Sequence, residues 1–105
     1  MTWEEKTEMI KLSNQANDKE SRQKFLKYVV EKLPIFDVQA YDMFITGFSI
    51  VSSEMKEDEE YHKIIYSQIK QYEPKLSEIS FRSSLRIEMY KITCEKDLDI
   101  NEKIL

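Results

Sequence analysis

Residues 36–55, FDVQAYDMFITGFSIVSSEM, form the longest apolar segment of the chain, and no Lys or Arg interrupts it. At 100° per residue on a helix, the segment places one broad apolar stripe along Tyr41, Phe44, Ile45, Phe48, Val51 and Met55. A second, smaller patch contains Met43, Gly47 and Ile50. The remaining polar strip is narrow and contains Asp42, Thr46, Ser49 and Ser53. A helix that is apolar on most of its circumference is normally enclosed by neighbours, so we predict a central helix here.

The scarcity of turn residues restricts the fold class. The 105 residues include one Gly and two Pro, and no Asn-Gly or Asp-Gly pair marks a hairpin. Sandwiches and barrels need many such residues, whereas helices with short connections do not. A chain of this length has room for one core. We therefore predict a single all-α domain over residues 1–105, folded as a compact bundle of about five helices.

Hydrophobic periodicity and capping signals set the expected helix boundaries. The predicted helices cover residues 3–15, 21–33, 37–55, 58–72 and 77–95, and a short charged tail follows at 97–105. The expected N-caps are Thr2, Asp18 or Ser21, Asp37, and Ser77. Pro34 and Pro74 end the second and fourth helices, because the residue before a proline is disfavoured in the helical region.

The fifth helix carries apolar side chains on two nearly opposite sides. One side contains Phe81, Leu85, Met89 and Ile92, and the other contains Ile87, Tyr90, Cys94 and Leu98. Surplus apolar surface on a small domain is commonly buried by another chain. The candidate protein-binding residues are therefore Met43, Ile50, Ile87, Tyr90, Cys94 and Leu98, with Tyr90 as the expected anchor. The alternative is that both sides lie inside the bundle.

Residues that would carry catalysis or bind a metal are sparse. His62 is the only histidine, and its place near the start of an amphipathic helix is typical of a solvated surface residue. Cys94 is the only cysteine and matches no cysteine-enzyme pattern, so we interpret it as a small, half-buried apolar residue. The single Gly argues against a phosphate-binding loop. We predict no catalytic, cofactor or metal site; an enzyme using Asp42 is the weakest alternative.

Charge favours a protein partner over nucleic acid. The formal net charge is −4, which falls short of the basic surface that nucleic-acid binding needs. The candidate anion contacts are Lys75, Arg82, Arg86 and Lys91. Nearby Glu78 and Glu88 make local ion pairing the simpler interpretation of that patch. Nucleic-acid binding through these four residues remains the alternative hypothesis. The acidic run at 57–60 is interpreted as the solvated start of the fourth helix, with contact to a partner's basic patch as the alternative.

The chain has no apolar N-terminal segment typical of a signal peptide and no apolar run long enough to cross a bilayer. With a lone cysteine, this predicts a cytoplasmic protein. Lysine outnumbers arginine 13 to 3 and there are 12 Ile, a codon bias that indicates a low-GC bacterium or its phage. We predict a non-enzymatic, protein-binding regulator or inhibitor. A homodimer is the simplest assembly, since two-fold dimers are the commonest oligomers.

Overall fold

The computed structural model describes residues 1–47, 55–72, 80–98 and 100. Its described part contains five α-helices and no strand. They are α1 (Trp3–Asn14), α2 (Lys19–Lys32), α3 (Val38–Gly47), α4 (Glu59–Tyr72) and α5 (Phe81–Asp97). The prediction of an all-α bundle of about five helices is confirmed.

Three of the predicted caps are present, and each satisfies a backbone N–H that has no partner inside its helix. Thr2 accepts a hydrogen bond from the Glu5 N–H while the Glu5 carboxylate accepts one from the Thr2 N–H, which completes a capping box. Asp18 caps α2 and Asp37 caps α3. The first three helices therefore begin where short polar side chains precede an apolar pattern.

The boundaries differ from the prediction at several points. Asp18 caps α2 in place of Ser21, so α2 begins two residues earlier, at Lys19. A 3₁₀ turn, Leu33–Ile35, continues from its end, because Pro34 fits the first turn of a helix but not its interior. Met55 was expected to end the central helix but lies in a turn before α4.

The predicted cap of the fifth helix is wrong. Its N-cap is Ser80, whose hydroxyl accepts a hydrogen bond from the Ser83 N–H at 3.2 Å. Ser77, the expected cap, lies outside the described residues, as do the predicted helix positions 48–54. The chain offers serines at both 77 and 80, and sequence spacing alone does not choose between them.

The main helix contacts run round a closed ring. α1 packs against α2, α2 against α4, α4 against α5, α5 against α3, and α3 against α1. The central helix thereby joins the first helix to the last, which are far apart in sequence.

Aromatic side chains fill the centre of this ring. Phe44 on α3 stacks against Phe25 of α2, with ring centroids 6.0 Å apart, and meets the edge of Tyr90 of α5 at 6.2 Å. Tyr41, one turn earlier on α3, contacts the ring of Tyr72 on α4 at 4.7 Å. Offset and edge-to-face pairs of this kind add to the stability gained by burial alone. The position of α3 in the core follows from the apolar stripe predicted for it.

Candidate functional site

The inner face of α5 consists of the four side chains that the sequence analysis assigned to partner binding. Their exposed fractions are at most 5%: Ile87, Tyr90, Cys94 and Leu98. They belong to the hydrophobic core, together with residues of all the other helices. The expectation that these four form a docking surface is therefore corrected, because the bundle itself buries them.

The outer face of α5 is the opposite apolar side. Four large side chains remain open to solvent: Phe81 (79% exposed), Leu85 (49%), Met89 (67%) and Ile92 (59%). At 100° per residue they span about 80° of the helix and are centred roughly opposite the inner face. Single exposed apolar residues are ordinary on protein surfaces, but a contiguous stripe of four on one helix is a feature of interaction sites.

The other predicted protein-binding residues lie on the central helix. Met43 is partly buried and packs against the core. Ile50 lies outside the described residues. Within the described chain, α3 therefore adds little to the exposed apolar surface, and the outer face of α5 is the larger candidate.

The predicted basic patch is not assembled on one surface. Arg82 is exposed at the start of α5, while Arg86 is only partly exposed. The Lys91 side chain is 9% exposed and donates a hydrogen bond to Glu88 at 3.1 Å. Lys75 lies outside the described residues. Because Lys91 lies on the buried side of α5, it does not share a face with Arg82.

His62 is a core residue, so its interpretation as a solvated side chain is wrong. It is 3% exposed, and a hydrogen bond of 2.8 Å joins its Nδ1 to the hydroxyl of Tyr90. Burial lowers the pKa of His62 to about 4; nearby Asp58 raises it by a smaller amount, and Arg22 lowers it. The imidazole is thus neutral at physiological pH, where it serves as the polar partner of a buried tyrosine.

Cys94 lies beside the same tyrosine and is fully buried. Its thiol donates to the Met55 sulfur at 3.7 Å, and burial raises the pKa of Cys94 to about 12. Burial also raises the pKa of Tyr90 well above its usual value. A nucleophilic cysteine needs the opposite environment, one that favours thiolate. This His62–Tyr90–Cys94 cluster is therefore suited to holding α4 and α5 together.

A buried ion pair ties α2 to the turn before α4. The Arg22 guanidinium donates from Nε to the Asp58 carboxylate, which is 1% exposed. Arg22 also donates to Glu57 at 3.1 Å, and the Gln23 amide donates to Asp58 at 3.1 Å. The expectation that residues 57–60 are simply solvated is thus corrected for Asp58. The turn borders a shallow depression of about 230 Å³.

Asp42, the residue of the weakest enzyme hypothesis, makes a contact between helices. Its carboxylate accepts a hydrogen bond from the Ser83 hydroxyl of α5. Of the predicted polar strip, Ser49 and Ser53 lie outside the described residues. Asp42 therefore links α3 to α5 by a side-chain hydrogen bond.

Among the described residues, no group of three His, Cys, Asp or Glu side chains is placed to hold a metal ion. None of the described helices combines the length and apolarity needed to cross a bilayer. Neither family models, nor curated proteins, nor solved structures match this chain.

One of the misassigned residues, His62, had a signal in the sequence. His62 precedes Ile65, Tyr66 and Ile69 at spacings of 3, 4 and 7, which is the core-facing pattern of a helix. Ile64, in the same helix, is 49% exposed, so the core-facing side of α4 is the one that carries His62. Asp58 is different, because nothing in sequence spacing links it to Arg22, 36 residues earlier.

Proposed function

We propose that this protein is a non-enzymatic, protein-binding regulator that docks on a partner through the outer face of α5. The observation that supports the proposal is the pair of opposite apolar faces on one helix. The inner face already supplies the core, whereas about half or more of each outer-face residue stays exposed on the single chain. Its four exposed side chains are instead suited to contact with a second apolar surface.

The composition of the outer face supports docking. Phe81 and Met89 are aromatic and thioether side chains, which are enriched at the centres of protein interfaces. Charged side chains border the stripe without interrupting it, with Arg82 on one edge and Glu88 on the other. This is the arrangement of an apolar interface core with a polar rim.

Site-specific photo-crosslinking in the native cells tests the proposal. A photoreactive residue replaces Leu85, and the matched control replaces Ile64 on α4, which is also 49% exposed. We expect a covalent adduct from position 85 and none from position 64, with its mass giving the identity of the partner. Adding Phe81→Glu to the position-85 probe should abolish the adduct, because the charge opposes burial of the face.

Two results of the crosslinking experiment would contradict the proposal. Equal crosslinking from positions 85 and 64 would mean that contacts form by chance collision. No adduct from position 85, with the protein folded and abundant, would remove the basis of the docking proposal.

A further inference from the structure

The outer face of α5 has the shape of a helix-packing ridge. Phe81, Leu85 and Met89 follow one another at intervals of four, and Ile92 lies on the adjacent row of the same face, four residues after Glu88. Rows of side chains spaced by four form the ridges that interdigitate in the commonest helix-crossing class, at about −50°. A second copy of the same helix offers an identical ridge and groove. The face is therefore geometrically able to pack against itself.

The charges at the edges of the outer face also favour a second copy of the chain as the partner. On the helical wheel, Arg82 lies beside Met89 on one edge, and Glu88 lies beside Phe81 on the opposite edge. A two-fold axis running roughly along the helix brings the basic edge of each copy to the acidic edge of the other. Glu88 already pairs with Lys91 yet stays 53% exposed, so its carboxylate remains accessible to a further cation.

The exposed area of the outer face is sufficient for a dimer interface at the small end of the range for specific interfaces. The exposed fractions of the four residues add up to about 2.5 fully exposed residues. If a fully exposed large side chain has an accessible area of roughly 180 Å², the outer face exposes on the order of 450 Å². Two copies double that value to about 900 Å², and the flanking polar side chains raise it past the roughly 1,000 Å² that a specific interface requires. Interfaces smaller than about 1,200 Å² are typical of weak, reversible association.

We infer that the protein forms a two-fold homodimer in which the α5 helices cross, outer face to outer face, in the same general direction. This inference rests on the proposed function and names the partner as a second copy of the chain. The dimer buries Phe81, Leu85, Met89 and Ile92 and leaves the inner face of α5 unchanged. It also places Arg82 of each copy on the side of the other copy's Glu88.

Sedimentation equilibrium of the full chain, over about 1–500 µM, tests the inference. We expect the mass to rise from 12.6 kDa toward twice that value. Leu85→Glu should remain monomeric, because each copy would bring a buried carboxylate to the interface. The matched control, Ile64→Glu, changes a side chain of equal exposure on α4 and should dimerise like the wild type. Circular dichroism confirms that both variants are folded.

A charge exchange tests the orientation of the two copies. Arg82→Glu should weaken dimerisation roughly five-fold or more, because acidic edges would then face each other. Adding Glu88→Arg to that variant restores opposite charges across the interface and should recover the wild-type constant within about two-fold. Failure of the double variant to recover would overturn the inferred orientation.

The outcomes separate this inference from the proposed function. A wild-type mass of 12.6 kDa throughout the concentration range overturns the homodimer. Equal loss of association in Leu85→Glu and Ile64→Glu also overturns it, because the outer face would then not be the interface. If the chain is monomeric yet position 85 crosslinks to a different protein, the homodimer fails and the docking function stands. If neither occurs, both fail.

Discussion

Acidification should destabilise this protein through its single histidine. Burial holds the pKa of His62 at about 4 in the folded state, against 6.5 for a solvated imidazole. Between these values the unfolded chain binds a proton that the folded chain does not, so stability rises with pH. The contribution is fully present above pH 6.5 and is lost as the pH falls toward 4.

The size of the effect follows from the two pKa values. Lowering the pH from 7 to 5 should reduce the free energy of unfolding by about 2 kcal/mol from His62 alone, and the loss should reach about 3 kcal/mol at pH 4. Small domains are stable by only about 5–15 kcal/mol, so the change is easily measured. Urea unfolding followed by circular dichroism gives the free energy at each pH.

Two variants isolate the histidine from the carboxylates that also titrate. His62→Asn keeps a polar group near the Nδ1 position but cannot titrate, so its stability should fall about 2 kcal/mol less than that of the wild type over the same range. Adding Ser67→His to this variant places a histidine on the exposed side of α4 and should leave its pH profile unchanged.

Nuclear magnetic resonance provides the refuting observation. Because the wild type has one histidine, its imidazole resonances need no further assignment. A midpoint near 6.5 in the folded protein would contradict the burial argument, as would identical pH slopes for the wild type and His62→Asn.

Three further predictions concern packing, charge and thiol reactivity. Asp58→Asn should lower the free energy of unfolding by about 2 kcal/mol, because the buried Arg22 guanidinium loses its buried carboxylate partner and keeps only the exposed Glu57. Glu57→Gln, at the exposed partner, should cost less than about 1 kcal/mol in the same urea assay. Phe44→Ala should cost about 3–5 kcal/mol, while Phe81→Ala should change the stability of the monomer by less than about 0.5 kcal/mol, both by thermal and urea unfolding. Cys94 should react with a thiol-specific reagent at least about 100-fold more slowly in the folded protein than in urea, since burial raises its pKa to about 12; comparable rates would contradict its buried position.

The helices themselves were largely predictable because local signals specify them. The caps Thr2 and Asp37 and the terminator Pro34 each act through neighbours within a few residues in sequence. The apolar stripe with Phe44 at its centre placed the middle helix in the core. These features require no knowledge of the tertiary fold, and for that reason sequence reasoning found them.

Local signals of this kind could not predict which face of α5 is buried. Its two stripes have similar hydrophobicity, and the choice between them depends on what lies across the bundle. Tyr90 and Cys94 fit the interior because His62 and Met55 lie opposite them, from segments about 30 to 40 residues away. The partnership of Arg22 with Asp58 is non-local in the same way. Candidate site residues were thus misplaced wherever their surroundings came from a distant part of the chain.

The ring order of the helices has a consequence for biosynthesis. When a ribosome has released α1 to α4, Phe44 still lacks Tyr90, the aromatic contact that comes from α5. The sides of α3 and α4 that pack against α5 in the complete fold are then still open to water. Premature termination before α5 would therefore leave core side chains such as Phe44 without one of the helices that cover them.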